Sequence, residues 1–213
     1  MKTDELVTLL ATSAEAVEPD ASSRRYATAL GWGAFGATLL MAIMLGVRSD
    51  IDAAARLPMF WLKLAFPASV AVASLVAASR LSRPGARLGR VPAALIAPVL
   101  AVWLLTAYVL VAAPPAERAE LIIGRTWQYC LFSVPTLSVP VFIATLWAMK
   151  GLAPTRLGLA GAAAGLLAGA VGALVYALHC PEMEAPFLGV WYVVGMLIPT
   201  AAGALLGPIL LRW

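Results

Sequence analysis

Six stretches of the sequence are apolar over about 20 residues or more, the length that a helix needs to cross a lipid bilayer. They cover residues 26–47, 59–79, 92–113, 127–149, 157–178 and 187–210. The chain is 62% hydrophobic and 12% charged, whereas soluble domains carry about 25% charged residues. Because lipid can cover apolar helix faces that water cannot, we expect an all-α integral membrane protein. It would consist of a bundle of six transmembrane helices (26–213) after a short N-terminal segment (1–25).

The distribution of Lys and Arg residues predicts the orientation of these spans. One side of the predicted bundle carries ten: Lys2, Arg24, Arg25, Arg80, Arg83, Arg87, Arg90, Lys150, Arg156 and Arg212. The other side carries four: Arg48, Arg56, Arg118 and Arg125. Basic loops stay in the cytoplasm, so both termini are expected there, in a bacterial inner membrane. The polar residues 1–25 show no cleavable signal peptide.

No recognised catalytic motif is present. The spacing G-x-G-x-x-G occurs at residues 31–36, but a dinucleotide site needs a strand before it and a helix start at the glycines, and here the glycines fall inside a span. Asp and Glu lie only in the N-terminal segment and the loops, so an ion relay within the membrane is not indicated. We expect no enzyme activity and no cofactor. A small transporter or a structural membrane subunit is the alternative.

Glycines form a stripe on the fifth span. Gly161, Gly165 and Gly169 recur every four residues, a spacing that lets a neighbouring helix approach closely. The stripe fits either a dimer face or packing inside the bundle, and packing inside the bundle is the favoured interpretation.

The two cysteines are predicted to lie at the same depth on the outward, oxidising side. Cys130 is near the start of the inward-running fourth span, and Cys180 follows the end of the fifth. The short connection 150–156 favours neighbouring helices, so the thiols can meet. Three interpretations remain open: a redox-responsive or metal-responsive pair, a structural disulfide, or two unrelated thiols.

Polar residues near Cys180 extend this candidate site. His179, Glu182 and Glu184 flank it, and Lys63 lies near the outer end of the second span. Two thiolates with an imidazole suit soft or borderline metals, so we expect Cys130 and Cys180 to bind a metal ion transiently. The auxiliary ligands would be His179, Glu182, Glu184 and Lys63. An ammonium group beside a thiol also favours the thiolate. Taken alone, Lys63 is typical of a lysine whose ammonium group reaches the membrane interface.

The N-terminal segment is the second candidate site. Thr3 or Asp4 can begin a short helix that Glu18-Pro19-Asp20 ends. The apolar residues at helical spacing fall near one face: Leu6, Leu9, Leu10 and Val17. A helix this short is marginal in water and needs a surface that covers its leucines. Because it is acidic, a protein groove suits it better than anionic lipid.

Several short runs of this sequence resemble those of a known family. They are residues 1–6, 60–67, Cys130 with the run 135–140, 151–155, 177–182 and Trp191-Tyr192. Together they resemble the NrsF family of membrane-embedded anti-sigma factors, over nearly the whole chain.

The resemblance implies a function that the residues alone do not name. The N-terminal segment, from Asp4 to Leu10, would hold an extracytoplasmic-function sigma factor inactive at the membrane. Cys130 and Cys180 would sense stress from heavy metals or oxidants and trigger the release of that partner.

Overall fold

A computed structural model describes residues 3–13 and 21–212 of the chain. Within them the regular elements are all helical: α1 Thr3–Ser13, α2 Ala21–Met44, α3 Ile51–Ala54, α4 Pro58–Leu81, α5 Val91–Ala112, α6 Arg118–Ile123, α7 Trp127–Lys150, α8 Leu157–Tyr176, α9 Ala185–Phe187, a π-helical turn Leu188–Tyr192, and α10 Val193–Leu210. The α9 helix, the π-helical turn and α10 follow one another without a break and form one long rod.

The prediction of six long apolar helices is confirmed. They are α2, α4, α5, the α6–α7 region, α8 and the rod from α9 to α10. That they cross a bilayer stays a prediction. The helix α2 begins at Ala21, before the predicted start of the first span, because polar residues continue the helix beyond its apolar part. The predicted helix end at 18–20 and the apolar position Val17 lie outside the described residues.

The helix α8 occupies the centre of the bundle and packs against α10, α7 and α4. Its glycines allow this contact: a Cβ atom at Gly161 would overlap the carbonyl oxygen of Gly203, and one at Gly165 would overlap that of Pro199. The glycine stripe therefore packs inside the bundle, as favoured from the sequence, and α10 of the same chain covers it.

The glycines at 31–36 also serve helix packing. They lie within α2, which contacts α7. A Cβ atom at Gly33 would come within 2.8 Å of the Val141 Cα atom. The glycines therefore lie inside a long helix, as predicted.

Two side chains of α5 bond to the start of the last rod. Trp103 Nε1 donates to the Gly189 carbonyl oxygen at 2.9 Å, and Thr106 Oγ1 donates to that of Ala185 at 3.0 Å. A π-helical turn disturbs the regular bonding of a helix, and these two donors bind carbonyl oxygens at this irregular stretch. They fix the rod just beyond the segment that holds Cys180.

Candidate functional site

The two cysteines lie at one end of the bundle, which we call the cysteine end. Cys130 lies in the first turn of α7, and Cys180 follows the end of α8. Both side chains are fully buried free thiols within one apolar cluster. The contact between α7 and α8 confirms that the fourth and fifth spans are neighbours. The structure thus places both cysteines at the same end of the bundle, in one buried cluster.

Lys63 ties helix α4 to the segment around Cys180. Its side chain is 0% exposed, and its Nζ donates to the carbonyl oxygens of Cys180 at 2.6 Å and Glu182 at 2.7 Å. Nζ also lies 5.9 Å from the centroid of the Tyr192 ring. The ammonium group does not reach the surface of the protein, because segment 179–184 covers it and supplies acceptors for it. Burial of an unbonded ammonium group would be far more costly.

Arg48 is a second cation at the cysteine end. Its guanidinium group binds both carboxylate oxygens of Asp50 at 2.7 Å and donates through Nη1 to the Cys180 carbonyl oxygen at 3.3 Å. The hydrogen bonds from Arg48 lower the pKa of the Asp50 carboxyl, and the same bonds raise the pKa of Arg48. A carbonyl oxygen has two lone pairs, so the Cys180 carbonyl serves both cations.

Besides Lys63, three more residues were expected as auxiliary metal ligands, and each has other surroundings. His179 Nδ1 lies 2.9 Å from the Gly46 carbonyl oxygen, which only accepts, so Nδ1 carries the proton. Glu182 Oε1 accepts from the Arg125 backbone N–H at 2.9 Å and from Thr126 Oγ1 at 3.2 Å, and Glu184 is exposed. Within residues 3–13 and 21–212, no three His, Cys, Asp or Glu side chains are grouped to hold a metal ion. The sensing role of the cysteines stays a prediction.

Two buried tyrosines near the thiols were not predicted as site residues. The hydroxyl groups of Tyr176 and Tyr192 lie close to the Cys180 side chain. Their ring centroids are 6.1 Å apart. Tyr176 precedes Cys180 by one helical turn, and this spacing is the signal that could have identified it. These O–H donors lie where they can stabilise negative charge on sulfur.

The N-terminal candidate contains helix α1, and the amphipathic character of this helix stays a prediction. Asp4 lies in its first turn, and the Thr8 hydroxyl donates to the Asp4 carbonyl oxygen at 2.8 Å. Leu6 is 40% exposed, and Leu9 and Leu10 are each 59% exposed. The bundle therefore leaves much of their apolar surface uncovered. Their role in partner binding stays a prediction.

Comparison with known proteins identifies relatives over the full chain. The model of the NrsF family, described as "Negative regulator of sigma F", matches residues 10–213, which include both cysteines. A protein of Azospira oryzae named "Probable anti-sigma-F factor NrsF" is 57% identical over 213 residues, with all of both chains covered. The "Anti-sigma-F factor NrsF" of Caulobacter vibrioides is 38% identical over 216 residues, again with all of both chains covered. No solved structure matches the chain. The chain belongs to the NrsF family.

Proposed function

We propose that this protein is a membrane-bound anti-sigma factor that holds an extracytoplasmic-function sigma factor inactive and releases it when Cys130 and Cys180 sense a thiol-reactive metal or an oxidant. The observation that supports this most is the match along the entire chain to two relatives named as anti-sigma-F factors. The absence of catalytic motifs in the sequence is in keeping with a regulator.

The six apolar helices would cross the bacterial inner membrane with both termini in the cytoplasm. The support is the ten-to-four split of Lys and Arg between the two sides. A reporter that is active only in the cytoplasm should be active when fused after residue 213 and silent when fused near Ala116. The reverse pattern would place both thiols at the reducing side and contradict the sensing proposal.

The sigma factor would bind helix α1. Its exposed leucines, Leu6, Leu9 and Leu10, can enter an apolar groove, while Asp4 and Glu5 add negative charge to its first turn. Helix-in-groove recognition uses apolar anchors at this spacing. In this arrangement a cytoplasmic protein is held at the membrane surface and kept from its promoters.

The signal would enter at the cysteine end. An oxidant that joins the two sulfurs as a disulfide accepts two electrons, and the thiols lose two protons. A soft metal ion bound by both sulfurs also displaces their protons. Either change replaces two neutral thiols in an apolar cluster with one linked unit. We expect this unit to shift α7 and segment 179–184 relative to the neighbouring helices.

The energetic demand on this coupling is small. A tenfold weaker hold on the sigma factor corresponds to about 1.4 kcal/mol of differential binding between the two states. One new bond between the sulfurs, or one metal ion, is sufficient for that difference. The movement at the cysteine end must be transmitted through packed helices to the opposite end of the bundle. Helices α7 and α8 both extend from one end to the other.

Co-expression tests the partner and the location together. The full chain is expressed with each extracytoplasmic-function sigma factor of its source bacterium in turn, and each is assayed for membrane retention and for transcription from its own promoter. We expect one of them to be retained and its promoter to be silent. If every sigma factor stays soluble and active beside abundant membrane protein, the proposed function is wrong.

A further inference from the structure

The first turns of α2 are bound to the far end of α7. Arg25 Nη2 donates to the Trp147 carbonyl oxygen at 3.1 Å, and the guanidinium carbon lies 4.7 Å from the centroid of the Trp147 ring. Gly151 makes room for this group, because a Cβ atom there would overlap the guanidinium. The end of α7 thus forms a slot that fits one arginine side chain.

The same turns of α2 are bound to the end of α4. Tyr26 is buried, and its hydroxyl oxygen lies 2.6 Å from Ser82 Oγ. Ser82 uses its single hydroxyl proton to donate to the Ala78 carbonyl oxygen, so Tyr26 is the donor to Ser82. Arg83 Nη2 donates to Ser22 Oγ at 3.1 Å. We call this set of contacts around Ser22, Arg25 and Tyr26 the tail end.

The two helices that hold the tail end also carry residues of the cysteine end. Helix α7 begins near Cys130 and ends at the slot for Arg25, roughly 25 Å further along its axis. Helix α4 carries Lys63, which binds the carbonyl oxygens around Cys180, and it ends next to Ser82. A shift at the thiols that moves either helix must therefore change a contact at the tail end.

We propose that Arg25 and Tyr26 are positioning residues that latch the base of the N-terminal segment to α7 and α4, and that sensing at the thiols opens this latch. The latch rests on the proposed function, since it acts on the segment that would bind the sigma factor. With the latch closed, the segment is held in the arrangement that retains its partner. With it open, the segment changes its orientation to the bundle and the partner leaves without any change in helix α1 itself.

The substitution Gly151→Ala tests the latch without removing a charge. The φ angle of Gly151 is −84°, which suits any residue, so the added methyl group only fills the slot. Gly31→Ala is the matched control, because nothing lies within 4 Å of a Cβ atom at that position of α2. Arg25→Lys, which loses the planar group, and Tyr26→Phe, which loses only the hydroxyl, are milder variants for use if Gly151→Ala accumulates poorly.

The experiment measures retention of the sigma factor by the full chain in membranes, normalised to inserted protein, with and without diamide. Gly151→Ala should retain at least tenfold less partner without diamide, as the oxidised wild type does, while Gly31→Ala retains and releases normally. Wild-type retention by Gly151→Ala, Arg25→Lys and Tyr26→Phe would overturn the latch.

A parallel variant separates the latch from the proposed function on which it depends. Leu6→Asp with Leu10→Asp should lose the partner in the same assay. If it does and the latch variants behave as wild type, only the latch is wrong. If the leucine variant retains its partner, the binding segment lies elsewhere and the latch proposal falls with it.

Discussion

The two ends of the bundle hold their polar side chains in different ways. At the cysteine end, the buried Lys63 and the guanidinium of Arg48 donate to carbonyl oxygens of the segment that contains Cys180. At the tail end, the half-buried Arg25 and Ser22 meet helix termini through single hydrogen bonds longer than 3 Å. Only the Tyr26–Ser82 contact is both short and buried there.

This difference indicates that the two ends hold their arrangements with different strength. Several hydrogen bonds meet on one short segment and hold a single arrangement around two thiols, because Lys63 is buried and losing both of its acceptors would leave the ammonium group unsatisfied. The tail end has fewer such bonds and leads to a helix whose leucines are exposed. In the proposed mechanism, the cysteine end would therefore keep its arrangement until the sulfurs react, and the contacts of the tail end would be the ones that break.

The largest effect is expected at helix α1. Replacing Leu6 and Leu10 by Asp removes two buried leucines from the proposed interface, each contributing roughly 1.5–3 kcal/mol. Sigma factor capture by the full chain should therefore weaken at least a hundredfold, with membrane insertion unchanged. Co-purification from membranes measures it.

The matched control adds the same two charges to another face of α1. Thr8 and Thr12 are exposed and bond their hydroxyl groups to carbonyl oxygens of their own helix, so Thr8→Asp with Thr12→Asp should still capture the partner. Equal loss in both double variants would mean that added charge, and not the leucine face, causes the effect.

Hydropathy predicted most of the fold, but it predicted few of the polar side-chain contacts at the two ends of the bundle. The six spans follow from apolar length, and the glycine stripe on α8 indicated close packing. The buried state of Lys63 was not predictable, because its acceptors are backbone carbonyl oxygens from residues more than a hundred positions away. The contacts of the tail end were not predicted either, because they also join residues far apart in the sequence. A sequence count treats Arg25 as one more positive charge, whereas the structure places it in a slot formed by Gly151 and Trp147.

A smaller effect is expected from Lys63→Met. The carbonyl oxygen of Glu182 would lose its Lys63 donor, at about 1–3 kcal/mol for an unsatisfied group, and that of Cys180 would keep only the longer bond from Arg48, so segment 179–184 should open more often. In a Cys130→Ser background, maleimide should then label Cys180 at least tenfold faster in intact membranes. Lys150→Met is the control, because Lys150 is exposed at the other end of α7. Equally slow labelling in both variants would show that Lys63 does not hold the segment.

The smallest effect concerns Arg48 and Asp50. Because Arg48 lowers the pKa of Asp50, the pair stabilises the fold above the ordinary carboxyl pKa of about 4. That contribution is lost as the pH falls through the lowered value. The Asp50 side chain is exposed, so the change should be slight. Asp50→Asn should lower the melting temperature a little at pH 7, and the difference from wild type should vanish in strong acid. A difference that persists unchanged at pH 2 would contradict this assignment.

Under the proposed function, Cys130 and Cys180 sense a metal or an oxidant and do not form a structural disulfide. The direct measurement is sigma factor retention in membranes with and without cadmium or diamide, alongside protein level, for the wild type, Cys130→Ser, Cys180→Ser and the double variant. A structural disulfide would lower abundance when either cysteine is lost. We predict instead that all three variants remain abundant, retain the partner and fail to release it when cadmium or diamide is added. Each single variant should behave like the double variant. Normal release by the double variant would contradict the claim.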